Sequence, residues 1–143
     1  MIELKNVTKL YGNKKAVDCL NLNVPAGKLF AFIGPNGAGK TTTVKMMAGL
    51  LHPTSGEIFI DGKNISNDSL DLKRMIAYIP DQPFLYEKLS GREFLNFIGQ
   101  VYQMPKSELQ SEIDRYLELF QMKENIDQLL ESYTLGMKQK IVI

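Results

Sequence analysis

The chain has 143 residues, 44% of them hydrophobic, with 17 Lys and Arg against 16 Asp and Glu and a formal net charge of +1. That balance excludes a disordered polymer, and basic residues spread along the chain give no compositional sign of a nucleic-acid surface. No apolar run approaches the roughly 18 residues of a membrane span, and no charged and then apolar leader opens the sequence, so one soluble, unexported globular unit is the expectation.

Ile2, Leu4 and Val7 begin an alternating pattern, and a second strand pattern over residues 16–24 follows a turn at Gly12-Asn13. Together they predict a small antiparallel piece. Cys19, the single cysteine, lies within the second pattern and reads as a lone buried thiol, with no disulfide possible within the chain. Pro25-Ala26-Gly27 closes the pattern, and residues 28–33 then carry the unbroken apolar run Leu29-Phe30-Ala31-Phe32-Ile33. Such a run predicts a strand buried on both faces, as in a parallel sheet. A Gly-rich turn follows, and then a helix with Val44, Met47, Ala48 and Leu51 on one face. The segment 53–56 breaks that helix. His52, beside it and without a second metal-type ligand nearby, reads as a surface-loop histidine. Residues 57–65 predict a hairpin turning at Asp61-Gly62, and residues 76–79 another short strand.

After Pro80 the periodicity becomes helical. Ser90 with Glu93 predicts a capping box for a helix reaching about Tyr102, and Ser107 with Gln110 another for a helix carrying Leu109, Ile113, Leu117 and Phe120. The chain therefore divides into an α/β part, 1–83, and a helical part, 84–143, whose Met and aromatic positions are at core spacing.

The Gly-rich turn reads Gly34-Pro35-Asn36-Gly37-Ala38-Gly39-Lys40-Thr41, which fits G-x-x-x-x-G-K-[ST]. Glycine is needed where backbone amides must curl around a phosphate without side chains in the way. The amides near 37–41 should face the β- and γ-phosphates at the positive end of the following helix, with Lys40 adding a full charge. The Thr41 hydroxyl is suited to Mg2+, and Thr42, one residue further on, to the α-phosphate. Strand, turn and helix in that order make nucleotide binding the expectation.

Three further segments carry a resemblance. Lys9-Leu10-Tyr11-Gly12, Ile79-Pro80-Asp81-Gln82-Pro83 and Ser132-Tyr133-Thr134-Leu135-Gly136-Met137-Lys138-Gln139, taken with the phosphate loop, resemble the ATP-binding domain of ABC transporters over essentially the whole chain. The last segment departs from the common Leu-Ser-Gly-Gly-Gln form, with Leu135 for the first Gly and Met137 for Gln. The resemblance implies an α/β P-loop NTPase fold of the ABC type, with an N-terminal antiparallel part and a helical subdomain. It implies ATP and Mg2+ as ligands, Tyr11 stacking on adenine, and Gln82 contacting Mg2+ or the attacking water. It further implies that Thr134 and Gly136 cap the γ-phosphate of ATP held by a second ATP-binding subunit. Transmembrane permease subunits would be partners, covering Phe84-Leu85-Tyr86 at the inner face of the cell membrane, and the departures in the last segment fit the bacterial exporter type.

In the family a strand called Walker B and the catalytic Glu follow the helix that opens in segment 132–139, the family's signature, and the sequence stops at Ile143. The expectation is therefore a sheet lacking its C-terminal part, an edge left exposed beside the phosphate-loop strand, and impaired hydrolysis. Two other readings stay open, a soluble ABC ATPase acting on ribosomes or DNA and a non-catalytic ATP-binding module. A GTPase is disfavoured, because no Asp-x-x-Gly follows the loop and no Asn-Lys-x-Asp appears.

Overall fold

A computed structural model describes residues 1–67 and 70–143. They form two compact units, Met1–Tyr78 and Ile79–Ile143. Among the described residues no helix is long and apolar enough to cross a membrane.

The first unit is built on an antiparallel sheet. β1 (Ile2–Tyr11) and β2 (Lys14–Val24) are joined by the two-residue turn at Gly12-Asn13, with Tyr11 opposite Lys14. β3 (Ser55–Ile60) pairs with the other edge of β1, and β4 (Lys63–Asn64) with β3, giving the order β2-β1-β3-β4. The β3–β4 turn falls at Asp61 (φ 45°) and Gly62 (φ 76°), both left-handed, as a two-residue turn matched to strand twist requires.

The sequence spacing Ile2, Leu4, Val7 skips a residue, and the structure explains it. The register between β1 and β2 shifts between Leu4 and Val7, with Asn6 at φ 49°. One extra residue on the strand turns Val7, rather than Asn6, toward the core. The bulge is closed by polar side chains: Asn6 N–H donates to Asn21 Oδ1 at 2.9 Å, and Asn21 Nδ2 donates to Asn6 Oδ1 at 2.9 Å. Leu4, Val7, Val17, Ile58 and Ile60 of the sheet bury together with Met46, Ile65 and Leu72. Met46 belongs to α1 (Lys40–Met47), and Leu72 to α2 (Leu70–Lys73).

Four expectations for this unit are corrected. Cys19 is exposed, because it sits on the β2 side of the irregular pairing at φ 45°, where its N–H donates to Thr8 Oγ1 at 2.9 Å. The buried positions of α1 are Thr43 and Met46, with Val44, Met47, Ala48 and Leu51 only partly covered. Residues 28–33 form no strand, with Leu29 103% and Ile33 95% exposed. Phe30 and Phe32 meet edge-on at 5.1 Å. A strand buried on both faces exists only through neighbours, and among the described residues none pairs with this run. Residues 76–79 likewise form no strand.

The second unit is helical. α3 (Gly91–Val101) starts at the expected capping box, in which the Ser90 hydroxyl accepts from Glu93 N–H at 3.3 Å and the Glu93 carboxylate accepts from Ser90 N–H at 2.8 Å. α4 spans Lys106–Leu119 and buries Leu109, Ile113 and Leu117. Its expected Ser107–Gln110 capping box does not form. Pro105 takes the cap position, which draws Ser107 into the first turn, and Gln110 Nε2 donates to Asp114 Oδ1 instead. α5 (Leu135–Val142) contributes Ile141 to a core shared with Phe94, Met122, Ile126, Leu130 and Tyr133. Close approach of α3 to α4 depends on Gly99, where an added Cβ would lie 2.4 Å from Leu109 Cδ1.

Candidate functional site

The phosphate-loop segment runs from Gly34 to the start of α1. Gly37 has φ 82° and Gly39 has φ 84°, a region that side-chain-bearing residues rarely adopt. Gly39 has a second reason to be glycine: a Cβ there would lie 2.3 Å from the Ala16 carbonyl oxygen of β2. This close approach packs the loop on the strand that runs back from the Tyr11 turn.

Gly39 is also the N-cap of α1, and it supplies no side-chain cap. The first N–H groups of a helix have no intrahelical partner, and here no cap side chain takes them. No acidic residue lies in the first turn of α1. The positive end of the helix therefore faces out of the loop at Lys40, Thr41 and Thr42. Thr41 is exposed and Thr42 half-buried. The next threonine has a different task, since Thr43 is buried and its hydroxyl donates to Gly39 O at 2.9 Å, fixing the first turn.

Lys40 lies back over the loop, its Nζ donating to the carbonyls of Gly34 at 2.6 Å and Pro35 at 2.7 Å. The ammonium is thus held at the Gly34 and Pro35 carbonyls of the loop, whose turn Ala38 N–H closes by donating to Pro35 O at 3.3 Å. The Lys40 ammonium and the uncapped amides at the start of α1 lie at one turn, an arrangement whose charge favours an anion. Tyr11, at the end of β1 and 52% exposed, presents an open aromatic ring on the same unit.

Gln82, Thr134 and Gly136 lie in the second unit. Gln82 is exposed. The carbonyl of its neighbour Asp81 accepts from Gln139 Nε2 of α5 at 3.3 Å. Phe84 is 99% exposed and Tyr86 is exposed with its ring edge-on to Phe97, while Leu85 is partly buried against the helical core. The expected apolar surface of three residues is therefore two.

At the start of α5 the Thr134 hydroxyl accepts from Met137 N–H at 3.3 Å, and Gly136 leaves open space where a Cβ would stand. Tyr133, one residue before, is buried and donates to Asn125 O at 2.7 Å, and burial pushes its phenol up. Lys138 Nζ bonds Glu87 Oε1 at 3.0 Å, a hydrogen bond that holds the Glu87 carboxyl below the usual carboxylate range. Ala16, Lys138 and Gln139 escaped notice as positioning residues, because their partners lie 23, 51 and 58 positions away in sequence.

A family described as ABC transporter matches residues 17–143. The bacitracin transport ATP-binding protein BcrA of Bacillus licheniformis is 38% identical over 143 residues, which is 100% of this chain and 46% of that protein. The SkfA peptide export ATP-binding protein SkfE of Bacillus subtilis (strain 168) is 32% identical over 100% of this chain and 59% of that protein. The chain thus spans about half the length of the curated relatives it matches. Among solved structures, an ATP-binding subunit of an ABC transporter superposes with a TM-score of 0.85 at 31% identity, covering 99% of this chain and 59% of that one. The dimeric ATP-binding cassette MJ0796 in a post-hydrolysis state, bound to ADP and Pi, also gives 0.85, at 25% identity over 99% of this chain and 67% of that one.

Proposed function

The chain belongs to the ABC transporter family, and on that premise we propose that residues 1–143 are the nucleotide-holding portion of an ATP-binding subunit that drives transport through separate membrane subunits. The observation that carries the reading is the glycine-capped start of α1, where uncapped amides and the Lys40 ammonium converge on one turn. The triphosphate is held by the loop Gly34, Asn36, Gly37, Ala38, Gly39 and Lys40, with Thr42 at the α-phosphate, and the base stacks on Tyr11. The relative named for SkfA peptide export supports an exporter role.

Oxygen donors suit a hard cation such as Mg2+. The exposed Thr41 hydroxyl is such a donor at the phosphate loop and would hold the ion there. When bound, it neutralises charge on the phosphate oxygens. Lys40 adds charge that need not reorganise as the transition state forms. Thr134 and Gly136 meet the triphosphate of a second ATP-binding subunit, Phe84 and Tyr86 meet the permease, and the assembly works at the cytoplasmic face of the membrane.

Binding and turnover separate in this portion. In the family the carboxylates that hold the metal and orient water follow the signature segment, so residues 1–143 bind ATP and hydrolyse it slowly by themselves. Titration with labelled ATP and Mg2+, with phosphate release followed in the same samples, tests both parts. Saturable binding with phosphate release far below that of a full-length relative is expected. Absence of saturable binding overturns the site, and release at the relative's rate overturns the separation.

A further inference from the structure

Lys9 is half-buried on β1, two residues before Tyr11, and the period of a strand sets their side chains on one face. Its ammonium lies 5.7 Å from the centroid of the Tyr11 ring, within the roughly 6 Å reach of a cation–π contact. The same Nζ donates to the His52 carbonyl at 2.7 Å. That carbonyl belongs to the loop leaving α1, the helix that the phosphate loop begins. Two more bonds hold this loop to β1: Leu10 N–H donates to Thr54 Oγ1 at 3.0 Å, and Thr54 N–H donates to Thr8 O at 2.8 Å. α1 is therefore anchored at both ends to the hairpin that carries Tyr11. Gly39 packs on Ala16 of β2 at its start, and Lys9 and Thr54 tie its exit to β1.

We infer that Lys9 is a positioning residue for the nucleoside half of the ligand. It occupies one face of the Tyr11 ring, leaves the opposite face to a purine, and through His52 fixes that ring relative to the helix that grips the phosphates. The inference rests on the proposed stacking role of Tyr11. A solvated strand lysine would act only through its charge, and would strengthen every polyphosphate alike. A lysine that acts through the ring affects only ligands that carry a base, and that difference is measurable.

Lys9→Met keeps the aliphatic stem and removes the ammonium. Its affinity for ATP should fall about three-fold, the size of an exposed cation–π contact, while inorganic tripolyphosphate binds as before. Lys9→Arg should restore ATP affinity, since a guanidinium can stack on the ring and still donate to a carbonyl. In a Tyr11→Ala background, Lys9→Met should cause no further loss. Equal weakening of ATP and tripolyphosphate, or the same loss of ATP affinity with Tyr11 absent, overturns the inference. If Tyr11→Ala weakens ATP and Lys9→Met does not, the Lys9 inference alone fails. If Tyr11→Ala leaves ATP affinity unchanged, the stacking reading fails and takes the Lys9 inference with it.

Discussion

Two helices of this chain begin in opposite ways. At α3 the Ser90 hydroxyl and the Glu93 carboxylate take up the N–H groups of Glu93 and Ser90, and the carbonyls of Gln128 and Ile126 take up those of Gly91 and Arg92, so the end is closed. At α1 a glycine stands in the cap position, no acidic residue enters the first turn, and the Lys40 ammonium lies over the loop. A closed end contributes stability, while an open end leaves its donors and its dipole for a ligand. The phosphate loop thus forgoes local stabilisation where the helical unit takes it. Its shape is kept instead by packing on Ala16 and by the Thr43 hydroxyl.

Mutations should separate the two ends cleanly. The largest effect is expected from Lys40→Ala, which removes the ammonium held over the loop and should lower ATP affinity by about 100-fold. Equilibrium titration reads it, and an unchanged affinity would falsify the open-end assignment. Tyr11→Ala should weaken ATP, ADP and GTP alike by roughly ten-fold, since stacking uses a π-face common to all bases. Tyr11→Phe should cost little, and a loss equal to that of Tyr11→Ala would point to a hydroxyl contact.

The closed end should respond in stability and not in binding. Ser90→Ala should destabilise the helical unit by about 1 kcal/mol, read from denaturant midpoints, with ATP affinity unaltered. A change in affinity would contradict the contrast.

The smallest effect concerns pH. Hydrogen bonds from Ser90, the backbone N–H first and the hydroxyl second, hold the Glu93 carboxyl below the usual carboxylate range. A lowered folded value means that this contribution is present above the unfolded pKa of roughly 4.3 and fades as pH falls through the folded value. The stability gap between the native chain and Ser90→Ala should therefore narrow in acid, below about pH 4. A gap that stays constant to lower pH would show that the Ser90 hydroxyl takes no part in holding the Glu93 carboxyl down, since Ser90→Ala keeps the backbone N–H bond.

Local chemistry was legible in the sequence, and distant partnership was not. The two-residue turns at Gly12-Asn13 and Asp61-Gly62, the Ser90–Glu93 box and the phosphate-loop pattern are each specified within a few residues. The spacing of Ile2, Leu4 and Val7 recorded the bulge at Asn6, although it read only as a loose alternation. Residues 28–33 were misread, because an apolar run reports that a strand could be covered without supplying the neighbour that covers it. Cys19 was misplaced because a bulge turns a side chain to the other face without altering composition. At α4, the Ser107–Gln110 signal was real in kind, but Pro105 made the better helix boundary.

The contrast between open and closed helix ends is tested most directly by following backbone amide resonances as Mg2+ and ATP are added to the chain. The amides of residues 37–42 should shift with saturable dependence on ATP, and those of residues 91–94, already bonded to the Gln128 and Ile126 carbonyls, the Ser90 hydroxyl and the Ser90 carbonyl, should stay in place. Shifts of equal size at both helix starts, or none at residues 37–42, would contradict the account.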